Sequence, residues 1–165
     1  MQHEPTPLRR VAADFARSAR AMSATFVLSN AVPQRPNLNR RIWAELEDQV
    51  RELARAHGSI WVFTGDLFLH RNGTPAEPRR FIGPDRVAVP THFYKVILCQ
   101  DADDTVELFA FLLPNQLNPL SGTPGDFLTT VDRIEALSGL DFFSALPDTL
   151  ETRLERQAAA SWPVN

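Results

Sequence analysis

The chain has 165 residues, of which 44% are apolar and 22% are charged, and its formal net charge is −3. A chain of this length forms one domain with a sizeable core, and its composition excludes the collagen-like, coiled-coil and disordered classes. One cysteine, Cys99, excludes an internal disulfide and a cysteine-rich zinc site. Because the net charge is negative, we expect any contact with nucleic acid to be local rather than spread over the surface.

The sequence gives no sign of a membrane segment, because it contains no run of about 18 apolar residues. The first 20 residues are polar, arginine-rich and interrupted by proline, and they lack the apolar core of a signal peptide. Localisation therefore stays open. We expect a cytoplasmic protein as the chain stands, and a secreted or periplasmic one if a segment is missing from its N-terminus.

The N-terminal part predicts one helix and one strand. Residues 1–8 form a loose lead-in, and apolar residues at three- and four-residue steps then predict a short helix from Arg9 to Met22. Thr25–Leu28 is rich in β-branched and aromatic types, which predicts a strand. The prolines that follow, Pro33 and Pro36, predict a loop.

A second helix is predicted from Leu38 to Ala56, with Asn37 as its N-cap and Gly58 as its stop. We expect its apolar face to pack on a sheet, with Trp43 as the main anchor. Four residues follow the helical period: Trp43, Leu46, Val50 and Leu53.

The middle of the chain predicts antiparallel strands. Ser59–His70 is strand-like but is predicted to break at Gly65–Asp66. Further strands are predicted over Val87–Val89, His92–Leu98 and Thr105–Leu113. Since polar and apolar residues alternate imperfectly over His92–Leu98, we expect that strand to be covered on both faces.

Two more helices are predicted in the C-terminal part. One runs from Thr129 to Leu137 and stops at Gly139, and the last begins at Asp148 or Thr149 and reaches about Gln157. The predicted fold is therefore α+β, an antiparallel β-sheet flanked by helices, in a single domain over residues 1–165.

The strongest candidate site lies in the loop and helix between residues 29 and 51. Asn39 falls in the first turn of the predicted helix, Glu47 lies about two turns on, and Arg51 lies one turn beyond. An amide oxygen, a carboxylate and a guanidinium in one column can bind a hard cation and a phosphate together. On spacing alone, a helix N-cap and a Glu47–Arg51 pair on a solvated face explain the same residues, and both interpretations stay open.

Blocks of sequence over most of residues 10–155 occur in the order of a known family. They are Leu28-Ser29-Asn30, Pro33-Gln34, Leu38-Asn39, Trp43 and Leu46-Glu47, followed by segments at 58–65, 89–96, 110–115 and 130–143. In this order and spacing, the chain resembles the DNA/RNA non-specific endonucleases, a family of ββα-metal nucleases. The resemblance implies hydrolysis of DNA and RNA to products with a 5′-phosphate, and it is compatible with a homodimer.

The resemblance also implies roles for individual residues. Asn39 is the metal-binding asparagine for a single Mg²⁺ or Mn²⁺, Glu47 orients the water ligands of the metal, and Arg51 contacts the phosphate. Asn30 matches a further active-site asparagine. Three neighbouring arginines, Arg35, Arg40 and Arg41, form either a local basic face for the nucleic-acid backbone or merely a solvated loop.

The family's general base is a histidine in an Asp-Arg-Gly-His motif, and this motif is absent from the sequence. Counting back from Asn30 places Leu8 at the position of that histidine, so the nearest candidate is His3. We expect His92 to be a core or supporting residue. We expect His57 to interact favourably with the helix dipole at the C-terminus of the second helix. His70 ends a strand before a loop.

Three hypotheses follow. The chain is a Mg²⁺-dependent endonuclease, or a non-catalytic remnant that binds metal or nucleic acid, or the C-terminal two thirds of a nuclease read from a mis-assigned start.

Overall fold

The computed structural model describes residues 32–57, 59–103 and 105–164. The helix and strand predicted before residue 30, together with His3 and Asn30, lie outside the described residues. In chain order the elements are α1 (Pro36–Asn39), α2 (Ile42–Ala56), β1 (Ser59–Leu67), β2 (Phe81–Ile82), β3 (Val87–Ala88), β4 (His92–Gln100), β5 (Val106–Pro114), a 3₁₀ turn (Pro124–Phe127), β6 (Leu128–Thr129), α3 (Val131–Ser138) and α4 (Asp148–Glu155).

The main sheet has four antiparallel strands in the order β1-β4-β5-β6, and β2 and β3 form a separate two-stranded sheet. The two long central strands, β4 and β5, pair over their whole length, from His92 opposite Pro114 to Gln100 opposite Val106. The predicted α+β class with an antiparallel sheet is confirmed.

Alternate residues of β4 belong to two different cores, because successive side chains of a strand point to opposite faces. Phe93 and Ile97 pack in the core that α2 covers, whereas Tyr94 and Val96 pack in the core that α3 covers. The prediction of a strand covered on both faces is confirmed. The apolar residues of α2 that join the first core are Ile42, Trp43, Leu46, Val50 and Leu53.

The long helix predicted over residues 38–56 is divided in two, which corrects the prediction. α1 begins at Pro36, a residue whose missing N–H and fixed φ suit the first position of a helix. The chain then breaks before α2, where Arg41 has φ −121° and ψ −106°. Asn37 lies inside α1 and cannot be its N-cap, and its side-chain N–H group donates to the Leu117 carbonyl instead.

The break predicted at Gly65–Asp66 is also wrong, because β1 continues to Leu67. Gly65 lies directly opposite Tyr94 on β4, and a Cβ atom on Gly65 would come within 2.3 Å of the Tyr94 hydroxyl oxygen. The glycine therefore makes room for a buried ring against the strand, rather than marking a turn.

The C-terminal helices are close to their predicted positions. Thr129 belongs to β6, and Thr130 is the N-cap of α3, where its hydroxyl accepts a hydrogen bond from the Arg133 N–H at 3.1 Å. Gly139 ends α3 in the left-handed conformation, with φ 71°, as its sequence position predicts. α4 spans Asp148–Glu155, two residues shorter than predicted.

Among the described residues, no helix has the length and apolar character needed to cross a membrane.

Candidate active site

Asn39, the last residue of α1, is buried at 9% exposure. Its side-chain oxygen Oδ1 is shielded from solvent and accepts no hydrogen bond within the described part of the chain. Leaving such a group unsatisfied costs about 1–3 kcal/mol, so a buried amide oxygen of this kind is normally paired. Since amide oxygens are ligands for hard divalent cations, the residue fits the metal that the sequence implies.

The position of α1 depends on Asn115, a buried residue directly after β5. Its Oδ1 accepts the Arg35 backbone N–H at 2.7 Å, and its Nδ2 donates to the carbonyls of Pro33, at 3.2 Å, and Pro90, at 2.9 Å. These bonds attach the segment that leads into α1 to the end of the sheet, and so determine where Asn39 lies. Asn115 was part of the family resemblance, but no role was predicted for it.

Glu47 is held by Trp43, one turn earlier on α2. The indole Nε1 of Trp43 donates to Glu47 Oε1 at 2.9 Å. Trp43 is only 4% exposed, and its ring contacts Phe93 edge to face at 5.7 Å between centroids. The half-buried Glu47 carboxylate is therefore oriented by a side chain that the core holds in place.

Lys95 packs over the Trp43 ring, and its burial there was not predicted from the sequence. Its Nζ lies 4.9 Å from the centroid of the Trp43 ring and donates to Thr64 Oγ1 at 2.9 Å. Lys95 is only 5% exposed, and lysine is rarely buried to this extent without a partner. The available signal was a single charged residue in a strand predicted to be covered on both faces.

Asn39, Glu47 and Arg51 do not form the single helical column that their spacing predicted. Asn39 belongs to α1, whereas Glu47 and Arg51 lie one turn apart on α2, after the break at Arg40 and Arg41. Arg51 is partly exposed and makes a salt bridge with Asp48.

The predicted basic face is reduced to Arg40 and Arg41, which are exposed. Arg35 is 5% exposed and so is not part of a solvated surface. The physical reason is its place in the covered segment that Asn115 attaches to the sheet.

Two of the described histidines have partners remote from Asn39 in the chain. His57 is the C-cap residue of α2, and its Nδ1 lies 2.7 Å from Asp101 Oδ1. The Nδ1 of His70 lies 3.3 Å from Arg79 Nη2 in the segment after β1.

The third described histidine, His92, faces away from α2. It opens β4 two residues before Tyr94, so its side chain points to the α3 side of the sheet. Its Nδ1 lies 3.0 Å from Thr91 Oγ1. Burial lowers the pKa of His92, and the positive charge of Arg133 on α3 lowers it further. The expected supporting role fits this position better than a role as base beside Asn39.

The fold and its sequence together define the class of protein. The family model described as DNA/RNA non-specific endonuclease matches residues 11–149, and the chain belongs to this family. Bovine mitochondrial endonuclease G is 40% identical over 134 residues, which are 79% of this chain and 45% of the relative. Mouse mitochondrial nuclease EXOG is 36% identical over 142 residues, 82% of this chain and 39% of the relative. Nuclease C1 of Cunninghamella echinulata var. echinulata is 39% identical over 138 residues, 82% of this chain and 55% of the relative.

A solved structure supports the same assignment. A chain from the crystal structure of the EndoG/EndoGI complex, described as showing the mechanism of EndoG inhibition, superposes with a TM-score of 0.74 and 31% identity. The match covers 86% of this chain and 61% of the other. The chain spans about half the length of the curated relatives that it matches.

Proposed function

We propose that the chain carries the metal- and phosphate-binding part of a Mg²⁺-dependent, non-specific DNA/RNA endonuclease. Asn39 is the metal ligand, Glu47 orients the water ligands of the metal, and Arg51 binds the scissile phosphate. The observation that carries the proposal is the buried Oδ1 of Asn39, which has no hydrogen-bond partner among the described residues, in a chain that belongs to this nuclease family.

The donor set suits Mg²⁺ or Mn²⁺. Asn39 would supply one amide oxygen and water would supply most of the other ligands, as is common for Mg²⁺. When bound, the ion polarises the phosphate and stabilises the leaving oxygen.

The chain's own residues hold the reacting groups. Trp43 donates to Oε1 of Glu47 and so fixes the carboxylate that would orient the water ligands of the metal. The planar guanidinium of Arg51 can donate to two phosphate oxygens at once. The exposed Arg40 and Arg41 extend the contact along the phosphate backbone of the nucleic acid.

Hydrolysis at this site requires one further group. The attacking water forms a bond to phosphorus while the bond from phosphorus to the 3′ oxygen breaks, leaving a 5′-phosphate and a 3′-hydroxyl. The proton of the water must pass to a base. Asn30 and His3, the other predicted active-site residues, lie in the part of the chain that the structure does not describe.

A second function, binding of metal and nucleic acid without cleavage, rests on a specific observation. The sequence has no Asp-Arg-Gly-His motif. Each of the three histidines in the described ranges contacts another group: Asp101, Arg79 or Thr91. His3 is therefore the first candidate for the base, and another histidine or bulk solvent is the alternative.

Substitution of Asn39 by alanine tests the metal assignment. We expect calorimetry to show weak Mg²⁺ or Mn²⁺ binding to the wild-type chain, and loss of that binding in Asn39→Ala. Because the substitution removes an unsatisfied buried group, the metal-free variant should melt no lower than the wild type. Asn118→Ala, at an exposed position, is the matched control. Equal metal affinity in wild type and Asn39→Ala would contradict the assignment.

A further inference from the structure

A cluster of carboxylates lies on the opposite side of the sheet from Asn39, where α3 meets α4. Asp132 and Glu135 lie on α3, and Glu155 is the last residue of α4. One carboxylate oxygen from each of these residues lies within 4.8 Å of the other two. Residues remote in sequence are thus brought together at the junction of two helices.

Glu155 is the unusual member of this cluster. It is 6% exposed, its Oε1 is shielded from solvent, and it has no hydrogen-bond partner within the described ranges. The adjacent Glu151, one turn earlier on α4, also has a buried Oε1 to which none of the described residues donates. A buried carboxylate normally has a cation or hydrogen-bond donors around it, because desolvating an isolated charge is costly.

Within the described ranges, little balances the negative charge of this cluster. The Phe142 backbone N–H donates to Glu135 Oε1 at 2.7 Å, and no salt bridge within the described part of the chain includes Asp132, Glu135, Glu151 or Glu155. Burial, and after it the negative charges of the surrounding carboxylates, raises the pKa of Glu155 to about 7.

We propose that Asp132, Glu135 and Glu155 form a Ca²⁺ site that joins α3 to α4, with Glu151 at its edge. Oxygens bound to one Ca²⁺ at about 2.3–2.6 Å are at most about 5 Å apart, so the spacing of the three oxygens already fits this ion. Several carboxylates around one ion favour Ca²⁺, since Mg²⁺ usually binds one or two carboxylates and keeps its waters. The site is separate from Asn39 and does not depend on the proposed nuclease function.

The bound ion would stabilise the C-terminal part of the fold. After α4 the chain crosses to the other core, where Trp162 packs edge to face on Phe109 and Phe111 at 5.0 and 4.9 Å between centroids. Fixing α4 on α3 therefore also fixes the start of the segment that runs from Glu155 to Trp162.

Thermal unfolding of the full chain tests the site. After treatment with EDTA and dialysis, addition of millimolar CaCl₂ should raise the Tm of the wild type by about 5 °C or more, through selective binding to the folded state. Glu155→Gln and Asp132→Asn should each lose most of this rise. Calorimetry with CaCl₂ should show one site in the wild type and none in these variants.

Two controls make the result specific, and one test variant covers a failure to fold. Glu45→Gln, at an exposed position on α2, should keep the full response to Ca²⁺. Asn39→Ala should keep it too, which separates this site from the proposed nuclease metal. Because Asp132 is exposed, Asp132→Asn should fold normally, and it tests the site if Glu155→Gln fails to fold. Absence of a Ca²⁺ response in the wild type, or an unchanged response in Asp132→Asn, would overturn the proposal.

Discussion

Two buried asparagines, Asn39 and Asn115, differ in the hydrogen bonding of their side-chain amides. Asn115 uses its oxygen and its amide group in three hydrogen bonds, which satisfy the backbone of Arg35, Pro33 and Pro90. The Oδ1 of Asn39 has no partner in the part of the chain that the structure describes. Fully satisfied polar groups stabilise the fold, whereas an unsatisfied buried group points to a ligand. At the scale of single residues, this contrast distinguishes an asparagine that holds the fold together from one whose oxygen the described residues leave without a partner.

His92 makes a prediction about pH. Its pKa is lowered in the folded state by burial and by Arg133, so the unfolded chain takes up a proton first as the pH falls through about 6.5. This residue therefore lowers the free energy of unfolding on acidification, and its contribution is restored above about pH 6.5. His92→Gln should lose less stability than the wild type between pH 7.5 and 5.5, by at most about 1 kcal/mol.

Urea unfolding of both proteins at the two pH values measures this difference. Comparing their changes with pH removes the contribution of the carboxylates, which titrate in both. An equal loss of stability in wild type and His92→Gln would show that burial does not shift the protonation of this imidazole.

At the scale of elements, the division between α1 and α2 matters most for the site. Leu38 and Ile42, on either side of the break, are both buried in the core beneath α2. The two arginines between them are exposed. The break thus places charged side chains at the surface beside a buried asparagine, while both helices keep their apolar contacts with the sheet.

Trp43 joins α2 to the sheet, and its removal tests that packing. Trp43→Ala should lower the free energy of unfolding by about 3–5 kcal/mol, because it leaves a cavity against Phe93. Trp43→Phe keeps a ring there but loses the donor to Glu47, and should cost less, about 1–2 kcal/mol. Chemical denaturation of the three proteins measures both effects. An unfolding midpoint for Trp43→Ala close to that of the wild type would be incompatible with the assigned packing.

At the scale of the whole molecule, a nuclease assay distinguishes the proposed functions. A general base typically raises the rate of hydrolysis by about 10²–10⁴-fold. The residue at the position of the family's histidine is Leu8, whose side chain cannot accept a proton. With plasmid DNA and Mg²⁺, we expect almost no cleavage by the wild-type chain or by His3→Ala. A chain extended at its N-terminus by the Asp-Arg-Gly-His motif and its preceding strand should cut strongly and require metal.

The same assay includes its own control. Introducing Asn39→Ala into the extended chain should abolish its cleavage, which would show that the activity uses the proposed metal ligand. Robust cleavage by His3→Ala would contradict the expectation, since the candidate site would then work without His3 and without the histidine of the Asp-Arg-Gly-His motif.

The sequence by itself determined those helix ends and strands that depend on neighbouring residues. It also determined the protein family. The α3 stop at Gly139 and the two-sided burial of β4 follow from neighbouring residues, because helix caps and strand alternation are properties of short segments. The family followed from several blocks of sequence in one order, and it is confirmed by the match over residues 11–149. The roles of Asn30, Asn39, Glu47 and Arg51 remain predictions that rest on this resemblance.

Only the tertiary structure decided which groups meet across the fold. Asn115 bonds a residue 80 positions earlier, Gly65 makes room for Tyr94 on the next strand of the sheet, and Glu155 reaches the carboxylates of α3. The burial of Arg35 and Lys95 has the same origin. Such contacts depend on strand register and on the docking of helices, which are set by the packing of the whole core and leave no periodic signal in a short stretch of sequence.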